Sequence, residues 1–156
     1  MAKRQVGFQR QQDVQDRRRS ACLLVKTLLS TPGIHPEHLV AFLNNALWQL
    51  TDAESVHKHE TRLQSRAAYT ACRKTIKRRH DHVFQRAVMV EELIAAGKSA
   101  DWTQVDAILA EAVACTVTLE EHLRLRDFDH LDGWDRYKAA GITVIDTETN
   151  TELNFD

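Results

Sequence analysis

The chain has 156 residues, 43% hydrophobic and 28% charged, which suits a single soluble domain with a real core. The apolar run Ala21 to Leu29 behind the basic N-terminus is short and interrupted by Lys26, so neither a secretory leader nor a membrane span is expected, and the chain reads as cytoplasmic. The net charge of -1 conceals a segregation: residues 1–30 carry seven Lys/Arg against two acids, residues 58–86 nine against two, and residues 87–156 five against fifteen.

Residues 8–30 read as a helix, with Val14, Ala21, Leu24, Val25, Leu28 and Leu29 near one face and Arg10, Arg17, Arg18 and Arg19 mostly off it. Residues 1–7 are expected to fray. Thr31-Pro32-Gly33 stops the helix, and Pro36 suits the first turn of a second one. That second helix carries Leu39, Val40, Leu43, Ala46, Leu47 and Leu50. Thr51-Asp52-Ala53-Glu54 resembles a capping box for a further helix, whereas Val56 to Leu63 alternates as a strand would.

Ser65 caps an expected helix over 66–79, which buries Ala68, Tyr69, Cys72 and Ile76. Arg66, Arg73, Lys74, Lys77 and Arg78 crowd its other side, and Arg79 follows. So many cations on a few turns repel one another unless an anion sits there. A helix follows over 86–96 with Gly97 at its end, then one over 102–113 capped by Asp101. Ala114 to Val117 reads as a strand. Thr118 and Glu121 cap a helix over 119–125, and Asp132-Gly133-Trp134 opens a last helical piece. Ile142 to Ile145 reads as a strand, and the tail is a hairpin return arm or disordered. The expected class is α+β: a mostly helical single domain over 1–156 with a small β element near the C-terminus, and with 1–7 and 147–156 flexible.

The three cysteines, Cys22, Cys72 and Cys115, form no CxxC pair. They read as buried, reduced thiols. Trp48, Trp102 and Trp134 read as core anchors. The acidic loop with Asp127, Asp129 and Asp132 matches no calcium-loop spacing and reads as a solvated turn. No Walker loop, dinucleotide fingerprint or serine elbow is present, which removes nucleotide-cofactor and serine-hydrolase chemistry.

Two basic blocks, if they meet, make a phosphate-binding face; in the plainer reading the acidic half neutralises them. Eight histidines include two H-x-H pairs, His57 with His59 and His80 with His82. In a strand each pair points one way and offers two imidazoles to zinc, copper or nickel; as surface residues they mean nothing.

The stretch His80-Asp81-His82-Val83-Phe84-Gln85-Arg86 resembles the first motif of HNH, or His-Me finger, endonucleases. Ala114 to His122, a strand, a cap and a helix bearing a histidine, resembles the second half of that architecture. The resemblance covers residues 79–123. It implies His82 as general base, Arg86 as the cation that neutralises the transition state, and a divalent ion (Mg, Mn or Zn) held by Asp81 or His80 with His122. Gln85 stands where the family has proline, and no asparagine lies between residues 45 and 150. The family's β-hairpin also falls where the spacing here predicts helix.

A metal-free alternative resembles small bacterial ribonuclease toxins in layout. His82 or His122 would do the acid–base work and Lys58, Arg62 and Arg86 would hold phosphate. The setting implied by either is bacterial or phage: a toxin, defence or mobile-element nuclease. A non-catalytic alternative binds nucleic acid through Arg66, Arg73, Lys74, Lys77, Arg78 and Arg79, with Lys58 and Arg62 beside them. A third uses the acidic half on a protein partner or for self-association.

Overall fold

The computed structural model describes residues 2–53, 55, 60–72 and 74–155, with side chains from Gln12 onward. Helices predominate and a small five-stranded sheet accompanies them, so the class is α+β. The chain divides into two compact units, Met1–Glu54 with Arg86–Ala112, and Ser55–Gln85 with Val113–Asp156.

The first unit is helical. Helix α1 (Ala2–Ser30) reaches further towards the N-terminus than residue 8. It ends before Gly33, whose φ of +81° suits a residue without Cβ. Helix α2 (Pro36–Asp52) has proline in its first turn, where no backbone N–H is needed, and the His35 ring accepts from the Glu37 N–H at 3.3 Å. Thr51 and Asp52 close this helix instead of capping a new one. Helix α4 (Arg86–Lys98) and helix α5 (Trp102–Ala110) complete the unit. Asp101 caps α5 by accepting from Gln104 N–H at 3.0 Å. Val25, Leu43, Leu47, Leu50, Leu93 and Val105 are wholly buried, each contributing about 1.5–3 kcal/mol of apolar burial. Trp102, expected in the core, is 37% exposed. It occupies the first turn of α5, whose inward stripe is Val105, Ile108 and Leu109.

The second unit carries the sheet. Its strands are β1 (Leu63–Ser65), β2 (Arg78–His82), β3 (Ala114–Thr118), β4 (Val144–Asp146) and β5 (Thr151–Glu152), in the order β2-β3-β1-β4-β5. Among the described residues β1 and β3 pair parallel and the other neighbours antiparallel. Helices α3 (Arg66–Thr70), α6 (Leu119–Leu125) and α7 (Gly133–Ala139) pack with it, and a 3-10 turn (Arg126–Phe128) follows α6. Val83, Cys115, Val117, Leu125, Tyr137 and Val144 form the core of this unit. The tail supplies β5 as the return arm of a hairpin.

The expected basic helix over 66–79 does not exist. Ser65 does cap a helix, accepting from Ala68 N–H at 3.0 Å, but that helix stops at Thr70. Five consecutive residues from Arg78 pair with β3. Their partners lie far along the chain, and cross-strand pairing of that kind overrides a local helical pattern. Arg78 fastens the break: its guanidinium donates to the carbonyls of Ala68 (2.7 Å) and Ala71 (3.2 Å) and pairs with Glu60 at 3.1 Å. Cys72, expected inside, is exposed in the segment after α3; Cys115 is buried and Cys22 half-buried.

Candidate active site

Strands β2 and β3 run antiparallel, and α6 follows β3 without an intervening residue. Thr118 is the hinge. Its hydroxyl accepts from Glu121 N–H (3.1 Å), and the Glu121 carboxylate accepts from Thr118 N–H (2.9 Å). This is the capping box the sequence predicts. The Ser65 hydroxyl donates to the same carboxylate at 2.5 Å, and Leu119 N–H donates to the Lys77 carbonyl at 2.8 Å. The first turn of α6 is thereby fixed, and His122 is the next residue.

Along β2, side chains alternate between the two sheet faces. Asp81 pairs in register with Cys115, so both face the core with Tyr137. There the Asp81 carboxylate accepts two hydrogen bonds and faces a histidine nitrogen. Its Oδ1 lies 3.2 Å from His122 Nδ1. Its Oδ2 accepts from the Arg136 guanidinium at 2.5 Å and from the Tyr137 hydroxyl at 2.7 Å. Arg136 also donates to the His82 carbonyl at 2.9 Å and pairs with Asp129 at 3.3 Å. Burial pushes the Asp81 carboxyl up, but the neighbouring His122 imidazole, the Arg136 charge and the Tyr137 hydrogen bond outweigh it and hold it below its ordinary range. Burial drives Tyr137 well up, reinforced by Cys115 and Asp81, so it stays a neutral donor.

His122 differs from its partners in being reachable. Its Nδ1 is buried, yet the side chain is 35% exposed, which leaves the Nε2 edge as the outward one. Among the described residues Nδ1 makes no hydrogen bond, but it faces Asp81 Oδ1 at 3.2 Å, and a carboxylate on that side orients the ring with Nε2 outward. That is the arrangement of an oriented general base. Arg79 stands two residues before Asp81 on the same face of β2, with its guanidinium donating to the Arg78 carbonyl at 3.0 Å.

His80 and His82 take the opposite face, their ring centroids 4.9 Å apart. His80 is in register with Thr116, whose hydroxyl bonds Thr61 there. The structure therefore joins Asp81 to His122 and does not bring His82 or His80 to them. Arg86 lies in the helical unit, its guanidinium 5.4 Å over the Trp48 ring and donating to the Asn44 carbonyl at 3.4 Å. Of the expected phosphate-binding cations, Arg62 makes two hydrogen bonds to Asp146 (3.0 and 2.6 Å), Arg66 pairs with Glu152, and Arg78, partly buried, pairs with Glu60. Lys74 and Lys77 are exposed and Arg79 half-exposed. Lys58, Arg73, His57 and His59 lie outside the described residues.

The residues do not fit the divalent ion that the endonuclease resemblance implies. Asp81 Oδ2 already takes two protein donors, and one of them is a guanidinium whose charge a cation would oppose. Among the described residues no three His, Cys, Asp or Glu side chains converge as a metal-holding group.

Sequence reasoning missed Arg136 and Tyr137. They sit in a short helix, and nothing local marks them as partners of Asp81. Gln85, at the position of the family's proline, has its own task. Its N–H donates to the Asp132 carboxylate (2.8 Å) and its amide to the carbonyls of Asp129 (2.8 Å) and Leu131 (3.0 Å), tying down the acidic loop ahead of α7.

No protein-family model, no curated protein and no solved structure matches this chain. Among the described residues no helix is long and apolar enough to cross a membrane.

Proposed function

We propose that this protein cleaves phosphodiester bonds in nucleic acid, with His122 as general base and Asp81 as the residue that orients it. One observation carries the reading: a buried carboxylate, hydrogen-bonded by Arg136 and Tyr137, faces the inner nitrogen of an imidazole at 3.2 Å, and the other edge of that ring is exposed. Such an imidazole takes a proton from a hydroxyl nucleophile within hydrogen-bond reach. Arg79, on the same strand face as Asp81, meets the phosphate, and exposed Lys77, whose carbonyl accepts from the first N–H of α6, extends the cationic approach together with Lys74. The order strand, antiparallel strand, helix with histidine matches what the HNH resemblance implies, with α4 and α5 inserted between the strands.

The test is incubation of the protein and of His122→Ala with end-labelled single- and double-stranded DNA and RNA. Cleavage lost in the variant supports the proposal. A salt-sensitive gel shift without cleavage leaves a binding protein that uses Lys74, Lys77 and Arg79. Neither cleavage nor shift points to a protein partner for the acidic C-terminal part.

A further inference from the structure

We infer that His80 and His82 form a second site, a two-imidazole chelate for a late first-row divalent ion: Cu²⁺, Ni²⁺ or Zn²⁺. It lies on the sheet face opposite Asp81 and is independent of the cleavage proposed for Asp81 and His122. The H-x-H spacing is ambiguous by itself. On a helix two such rings diverge by about 200°, whereas on a strand they point to one side. Pairing with β3 decides the matter, because β2 places His80 opposite Thr116 and His82 opposite Ala114.

Distance decides whether two rings on one side can serve one ion. An ion about 2.0–2.1 Å from one nitrogen of each imidazole stands about 3.2 Å from each ring centroid. Rings that meet it at about 90–110°, the square-planar to tetrahedral range, have centroids about 4.5–5.2 Å apart. Those of His80 and His82 are 4.9 Å apart, and their planes are tilted by 59° instead of stacked. His35 and His38 in the helical unit, by comparison, stand 5.6 Å apart, beyond that range. The charges nearby also permit a cation. Arg78 shares the face two residues before His80, but Glu60 offsets its charge at 3.1 Å and the carbonyls of Ala68 and Ala71 take its N–H groups. Thr116 and Ala114, across from the two histidines, are small and uncharged. β2 stands at the end of the strand order, and His82 is only partly buried where His80 is buried, so an ion enters from the His82 side and water fills the remaining positions. Imidazole suits copper, nickel and zinc, whereas magnesium and calcium prefer oxygen ligands.

The experiment titrates metal-stripped protein with Cu²⁺, Ni²⁺ and Zn²⁺ by isothermal calorimetry, for wild type, His82→Gln, His122→Gln and the double variant His35→Gln/His38→Gln, each folded by circular dichroism. The expected result is one saturable ion per chain, bound most tightly as Cu²⁺. His82→Gln should weaken it by at least about 100-fold, since losing even a residue behind a metal ligand costs about 10–100-fold; the other variants should bind as wild type does. The electron paramagnetic resonance spectrum of the Cu²⁺ protein should show two coordinated imidazole nitrogens, and one in His82→Gln, a change that a folding defect does not imitate. No saturable binding to wild type, binding unchanged in His82→Gln, or a wild-type spectrum with fewer than two imidazole nitrogens overturns the inference. Binding lost in His122→Gln and kept in His82→Gln overturns it too, and puts the ion beside Asp81 instead.

Discussion

Arg136 and Asp81 meet at 2.5 Å with only 7% of either side chain exposed. Such a pair is weak evidence of stability while intact and strong evidence of a cost when broken, because the survivor is left charged and buried. Arg136→Met should therefore destabilise the protein by about 3 kcal/mol, read by urea denaturation. Asp81→Asn should cost a similar amount, since it strands the guanidinium instead.

The same carboxylate sets an acid limit. Its folded pKa is lowered, so its contribution is complete above the ordinary aspartate value of about 3.9 and is lost as pH falls through the lower folded value. Wild type should lose stability across that acid window more steeply than Asp81→Asn, whose amide does not titrate. Parallel slopes in pH-dependent thermal melts would contradict the account.

Tyr137→Phe removes one donor to Asp81 and leaves the ring in the core. A loss of about 1–3 kcal/mol is expected for a hydrogen bond to a buried charged group. If His122 works through Asp81, the variant should also move the pH–rate profile of cleavage, which a packing defect alone would not do.

Gly133 opens α7, the helix that carries Arg136 and Tyr137. Its φ is +59°, and a Cβ there would lie 2.6 Å from Phe84 Cε1. Backbone strain and overpacking together should make Gly133→Ala destabilising by about 2–4 kcal/mol. A neutral melt would show that the Phe84 ring moves aside freely.

The elements that were legible in the sequence have local causes. α6 falls at its expected residues because Thr118 and Glu121 make their capping box within four residues. α2 follows from its apolar stripe and Pro36. The stretch from Arg66 to His82 was illegible for the opposite reason: its strand is defined by pairing with residues 114–118, and cations spaced as on a helix disguised it. The site was half legible. The sequence joins Asp81 with His122 only as ligands of a divalent ion and makes His82 the base, but His82 goes to the other sheet face by simple alternation once β2 exists. Arg136 and Tyr137 reach Asp81 only through the tertiary fold.

The central claim is that His122, and not His82, is the base. Its most direct test is the single-turnover cleavage rate of a labelled oligonucleotide that wild type cleaves, by wild type, His122→Gln and His82→Gln at matched foldedness. The account predicts a loss of about 10²–10⁴-fold for His122→Gln, the usual worth of a general base, and a near-wild-type rate for His82→Gln. The reverse order, with His82→Gln inactive and His122→Gln competent, would contradict it.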